Sequence, residues 1–66
     1  MNKTPSVFKP APGTILYKAA RRAIAIADDL NEQTLLDFND TMVLVWPGAS
    51  IDKVIMSWTA LREDSR

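Results

Sequence analysis

Residues 34–46, TLLDFNDTMVLVW, decide the fold of this chain, because two strand-like runs lie on either side of a two-residue turn. Both runs are rich in β-branched and aromatic residues, which is typical of strands. Asn39 and Asp40 tolerate the left-handed backbone conformation that a tight turn needs. With that loop, the predicted cross-strand pairs are Phe38 with Thr41, Leu36 with Val43, and Thr34 with Val45.

The two faces of this predicted hairpin are both substantially apolar. The face opposite Leu36 and Val43 carries one acid among apolar residues, namely Leu35, Asp37, Met42, Leu44 and Trp46. A hairpin with one solvated face would alternate apolar and polar residues instead. We therefore expect one face to pack on the chain's own helices and the other to need a further cover.

A helix is predicted before the hairpin, over residues 15–32, which contain no glycine or proline and five alanines. Thr14 is the expected N-cap. Apolar residues recur at intervals of three and four, as on a heptad seam: Leu16, Ala19, Ala23, Ile26 and Leu30. Small side chains along this seam allow another element to approach closely.

A second helix is predicted after the strand break at Pro47, Gly48 and Ala49. Ser50 is the expected N-cap, and Asp52 complements the helix dipole in the first turn. One helical face then carries Ile51, Val54, Ile55, Trp58 and Leu61. The chain is therefore predicted to be a single small α+β domain with the order helix, β-hairpin, helix.

The predicted domain covers residues 14–63, between an N-terminal arm and a frayed tail over residues 64–66. The arm, residues 1–13, is rich in proline, which biases the preceding residue away from helix. It is expected to be extended. It is either a loosely held tail or a segment whose Val7 and Phe8 dock on the body or on a second subunit.

Composition excludes several classes of function. The 66 residues include no cysteine and no histidine, which removes disulfides, the usual zinc ligands and Ser-His-Asp or Cys-His catalysis. We expect a non-catalytic protein without a cofactor or metal. Asp37, Asn39 and Asp40 are better explained by turn chemistry than by a cation site.

No signal peptide or membrane-spanning stretch is seen in the sequence, so a cytoplasmic protein is expected. The net charge of zero disfavours binding to double-stranded DNA.

The charges are sorted along the chain, although they sum to zero. Residues 1–27 hold five bases and no acid, and residues 28–52 hold six acids and no base. The first helix therefore has bases near its start and acids near its end, which is the unfavourable order for the helix dipole. This order costs roughly 0.3–1 kcal/mol at exposed sites. Three interpretations are open: a solvated helix that tolerates the cost, an antiparallel pair of these helices in a homodimer, or an anion site.

The homodimer hypothesis follows from the small core and from the helix itself. A core of this size is marginal, and oligomerisation is a common way to enlarge it. In an antiparallel helix pair, Arg22 of one chain would meet Asp29 of the other, twice, as two-fold symmetry requires. The predicted interface consists of Ala19, Arg22, Ala23, Ile26, Asp29 and Leu30.

The anion-site hypothesis concerns the basic cluster on the same helix. Tyr17, Lys18, Arg21 and Arg22 lie close together in sequence, and arginine can bind phosphate with two parallel hydrogen bonds. Trp46 and Trp58 could add a stacking platform for a base, but in so small a domain we expect both to be core residues.

The order of elements also carries a resemblance. The run Phe38–Val45, with an alanine-rich helix before it and Pro-Gly and a short amphipathic helix after it, resembles small phage- or prophage-encoded proteins over residues 14–63. Some of these are homodimers that sequester a nucleotide signal or block a host protein. The resemblance implies an accessory protein that binds a host protein as a homodimer. The alternative is a protein that sequesters a nucleotide or another phosphate-bearing ligand.

Overall fold

The computed structural model describes residues 6–64 and has the predicted helix, hairpin and helix, with one further strand before them. In chain order the elements are β1 (Ser6–Phe8), α1 (Leu16–Leu30), β2 (Thr34–Phe38), β3 (Thr41–Val45) and α2 (Ile51–Asp64). The three strands form one sheet in the order β1-β2-β3. The α+β class predicted from the sequence is confirmed.

The hairpin has the predicted register. Phe38 pairs with Thr41, Leu36 with Val43, and Thr34 with Val45. Asn39 and Asp40 have φ values of 51° and 63°, so both turn residues adopt the left-handed conformation. That geometry suits two-residue hairpins because its twist matches that of the flanking strands. The turn chemistry predicted for these residues is confirmed.

Strand β1 comes from the segment that was predicted to be an extended arm. It pairs in parallel with β2, Val7 opposite Leu35 and Phe8 opposite Leu36. Adjacent parallel strands need a long crossover connection, and α1 supplies it. Residues 6–8 thus dock on the body, and the folded unit begins before the predicted boundary at residue 14. At the other end, α2 continues through Asp64, while residues 1–5 and 65–66 lie outside the described residues.

Both helices cover the same face of the sheet, which is called the inner face below. Leu36, Val43 and Val45 point from this face into the core, where Trp58 meets them from α2. The completely buried residues of helix α1 are all alanines, namely Ala19, Ala20, Ala23 and Ala27, while Leu16 and Ile24 pack against the core from partly buried positions. The small alanine side chains let the helix backbone approach the sheet closely.

The start of α1 differs from the sequence-based expectation. The N-cap is Ile15, which makes no side-chain capping hydrogen bond. Thr14, the predicted cap, instead donates its hydroxyl to the carbonyl oxygen of Ala11 at 2.7 Å. Its side chain is thereby used by the turn before the helix. At the other end, Asn31 stops the helix in the left-handed conformation, which is a common helix ending.

The start of α2 is as predicted. The Ser50 hydroxyl accepts a hydrogen bond from the Lys53 amide at 3.2 Å, and Asp52 lies in the first turn. Just before this helix, the Gly48 amide donates to a carboxylate oxygen of Asp28 at 2.6 Å. Asp28, an acid near the end of α1, thus accepts a hydrogen bond from a group outside that helix. This contact offsets part of the cost of the unfavourable charge order of α1.

Replacing Asp28 by alanine should lower the free energy of unfolding by about 0.5–1.5 kcal/mol, the usual net worth of one hydrogen bond. The matched control is Asp29→Ala, because the neighbouring exposed acid feels the same helix dipole. Urea denaturation followed by circular dichroism measures both. Equal losses in the two variants would contradict a specific role for the contact between α1 and Gly48.

The two tryptophans have different environments. Trp58 is only 7% exposed, and its indole N–H donates to the carbonyl oxygen of Phe38 at 2.9 Å. The prediction that Trp58 is a core residue is confirmed. Trp46 is 55% exposed, so the same prediction for Trp46 was wrong. The reason is strand alternation: Val45 points to the inner face, and the next residue therefore points away from it.

Candidate functional site

Basic side chains meet at a cleft between α1 and the loop that follows β1. The cleft has a volume of about 340 Å³. Three of its lining residues are bases: Lys9 from the loop, and Lys18 and Arg22 from α1. Phe8, Thr14 and Ala19 are among the residues that complete the walls, and no acid among residues 6–64 lines the cleft. We call this site the basic cleft.

The basic cleft includes only part of the predicted ligand-binding cluster. Lys18 and Arg22 are four residues apart and line the same cleft. Tyr17 is 52% exposed and Arg21 is also exposed, and neither belongs to the lining. Lys9 was missed by the sequence analysis, because the segment that carries it was expected to be an arm. Its place directly after an extended run that ends in Phe8 is the one sequence signal that could have indicated it.

A second depression lies between the loop formed by residues 9–14 and the hairpin turn. It has a volume of about 490 Å³, and its lining includes Lys9 together with Asp37, Asn39 and Asp40. Two carboxylates therefore face this depression, whereas the basic cleft has none. Charge distinguishes the two sites, because an anion would be repelled from the depression beside the hairpin turn.

The seam predicted to pair two α1 helices is partly used inside the chain. Ala19 and Ala23 are completely buried against the chain's own sheet, so they have no surface to offer a second copy in this fold. Ile26 is half-buried, while Arg22, Asp29 and Leu30 are exposed. The two alanines are therefore removed from the predicted interface. The sequence could not show this, because over a short helix the residues that pack on a sheet have nearly the same spacing as residues that pack on another helix.

The other face of the sheet, which we call the outer face, is left uncovered by the described elements. Val7, Leu35 and Leu44 form one row across its three strands, and Met42 and Trp46 lie on either side of Leu44 along β3 and its end. Exposed fractions reach 55% for Val7 and Trp46, 45% for Met42 and 37% for Leu44. Contiguous apolar patches on a sheet are typical of protein-binding surfaces.

Residues 6–64 contain neither a helix that could span a membrane nor a group of residues that could bind a metal ion. No helix there combines the length and apolar character that a membrane crossing requires. Within the same described range, no three His, Cys, Asp or Glu side chains are grouped so that they could hold a metal ion.

Comparisons of the chain with protein-family models, with curated proteins and with solved structures found no match. Two surfaces have a chemistry that indicates binding: the basic cleft and the outer face.

Proposed function

We propose that this chain acts by binding rather than by catalysis, and that the outer face of its sheet is a protein-binding surface. The observation that supports the proposal is the apolar outer side of β3, where Met42 and Leu44 are both exposed and Trp46 continues the row. Tryptophan and methionine are enriched in protein interfaces relative to the rest of the surface. Lysine or glutamate would be expected at these positions if the face were simply solvated.

The proposed first partner of this face is a second copy of the chain, which makes the protein a homodimer. Two identical apolar faces can cover each other about a two-fold axis, since isologous contact uses the same patch twice. One charged residue, Asp37, interrupts this face within the described strands. It pairs with Met42 next to the hairpin turn, so it lies toward one end of the sheet, and its Oδ1 is buried. On this face, the row formed by Val7, Leu35 and Leu44 is one pair further from the turn than Asp37, so a second copy can cover this row without being centred on the carboxylate.

Replacing Leu44 by lysine should convert the dimer to a monomer, because a charge would be placed at the centre of the buried face. The matched control is Met56→Lys, since Met56 is 69% exposed and belongs to α2, which packs on the inner face. Sedimentation equilibrium at micromolar concentration is the measurement. The wild type and Met56→Lys should be dimers, and Leu44→Lys should be a monomer. A wild type that stays monomeric at high concentration would refute the proposal.

Pairing through α1 predicts a different outcome in the same measurement. If Arg22 meets Asp29 of a second copy, Arg22→Glu should weaken the dimer and the double exchange with Asp29→Arg should restore much of it. The effect should shrink at high salt, since exposed charges are screened. Dimerisation through the outer face predicts no such coupling.

The biological setting is a further part of the proposal. The resemblance to small phage-encoded proteins supports an accessory role in which the homodimer binds a host protein, in the host cytoplasm. Genomic neighbourhood tests this setting directly. Phage genes beside the coding sequence would support it, and a conserved housekeeping operon would contradict it.

A further inference from the structure

The basic cleft brings three positively charged side chains together without a negatively charged side chain from residues 6–64 beside them. Lys9, Lys18 and Arg22 line it together, and no carboxylate from the described part of the chain shares the lining. Lys18 and Arg22 repel each other as like charges one helical turn apart. Lys9 adds a third cation from a different element, since the residue follows β1 directly. A ligand that carries negative charge would relieve this repulsion.

The backbone around the cleft adds to the same preference. The first turn of α1 contains no acid, and its N-cap residue makes no side-chain hydrogen bond. The positive end of the helix dipole is therefore not offset by a carboxylate in that turn, and it favours anions near the helix start. Lys18 lies in this first turn. The dipole and the three bases therefore act on an anion in the same direction.

We infer that the basic cleft binds the phosphoryl group of a small organic phosphate. Arginine and lysine are the residues that hold phosphate, arginine through its planar fork of donors. The volume of about 340 Å³ is near the lower end for small-ligand sites, which suits a mononucleotide-sized molecule better than a large cofactor. Phe8, Pro10 and Ala11 give the cleft an apolar wall for the organic part of the ligand. The inference does not depend on dimerisation through the outer face.

The test is a titration of the full chain with adenosine diphosphate, with pyrophosphate and with adenosine, followed by amide chemical shifts in nuclear magnetic resonance. Adenosine diphosphate should cause saturable shifts at the amides of Lys9, Ala11, Thr14 and Lys18. Pyrophosphate should shift the same amides, because the phosphoryl group is the recognised part. Adenosine, which has no phosphate, should shift none of them.

Matched variants then separate a defined site from general attraction to a basic surface. Arg22→Gln should weaken binding of adenosine diphosphate about tenfold or more, the loss expected for one charge-assisted hydrogen bond. Arg21→Gln removes the same charge from the neighbouring position, which does not line the cleft, and should leave the dissociation constant within about twofold. Circular dichroism of both variants checks that the fold is kept.

Three results would overturn the inference. The first is the absence of saturable shifts with either phosphate at millimolar concentration. The second is an equal loss of affinity in Arg21→Gln and Arg22→Gln, since that would indicate only diffuse electrostatic attraction. The third is an equal response to adenosine, which would show that the phosphoryl group is not what the cleft recognises.

Discussion

Replacing Trp58 by alanine is expected to unfold most of the domain at room temperature. Truncation of a buried tryptophan costs about 3–5 kcal/mol, because contacts are lost and a cavity remains. A single core in a chain of this size supplies little more than roughly 3–5 kcal/mol in total. The loss is therefore comparable with the entire stability of the monomer.

Three contacts of Trp58 make this effect specific. Its ring meets that of Phe38 edge to face, with centroids 5.5 Å apart, and the guanidinium of Arg62 lies 5.2 Å from its centre. Its indole N–H satisfies the carbonyl oxygen of Phe38, which ends β2. Loss of the indole thus also removes a hydrogen bond between α2 and the hairpin, which is worth about 0.5–1.5 kcal/mol.

The matched control is Trp46→Ala, because this tryptophan is 55% exposed on the other side of the sheet. Urea denaturation followed by circular dichroism, at a concentration where the protein is monomeric, should show a loss below about 1 kcal/mol for this variant. An unchanged midpoint for Trp58→Ala, or a larger loss for Trp46→Ala, would contradict the assignment of the two tryptophans to opposite faces.

Replacing Ala23 by aspartate should be at least as damaging. Ala23 is completely buried where α1 approaches the sheet, so the new carboxylate would lose its water and have no room to reach it. Burial of an unpaired ion costs several kcal/mol even after the surroundings relax. We expect a chain without a cooperative unfolding transition.

Ala25→Asp is the control for this substitution. Ala25 is exposed on the same helix, so the variant carries the same charge and the same helix propensity without burial. It should remain folded and lose less than about 1 kcal/mol. If Ala23→Asp were to keep a normal thermal transition, the face of α1 that packs on the sheet would be misassigned.

These variants concern the features that sequence patterns predicted best. The register of β2 and β3 followed from a two-residue turn at Asn39 and Asp40, since turn length fixes which residues pair. Ser50 and Trp58 were predicted in the roles they have, because a cap and a helical stripe are both local patterns. Each of these features depends on residues close together in sequence.

Features that depend on distant residues were missed or only half predicted. A three-residue strand such as Ser6–Phe8 has too few residues to show a period of two, and only its pairing with β2 makes it a strand. Thr14 has the chemistry of a cap, but its hydroxyl binds the turn at Ala11 instead. Two residues of the basic cleft, Lys18 and Arg22, belong to the predicted basic cluster, whereas Lys9 joins them only because β1 lies beside β2.

The sequence by itself determined the order of helix, hairpin and helix, the register of the hairpin, and the stripe of small residues on α1. Those properties follow from the backbone periods of helix and strand, which act over a few residues at a time. The tertiary structure alone decided what each apolar surface covers. The alanine stripe could suit a second helix or a sheet equally well, and the position of β2 against α1 selected the sheet. Both helices then lie on one face, so Met42, Leu44 and Trp46 remain uncovered, because the folded chain has no further element to place over them within the described residues.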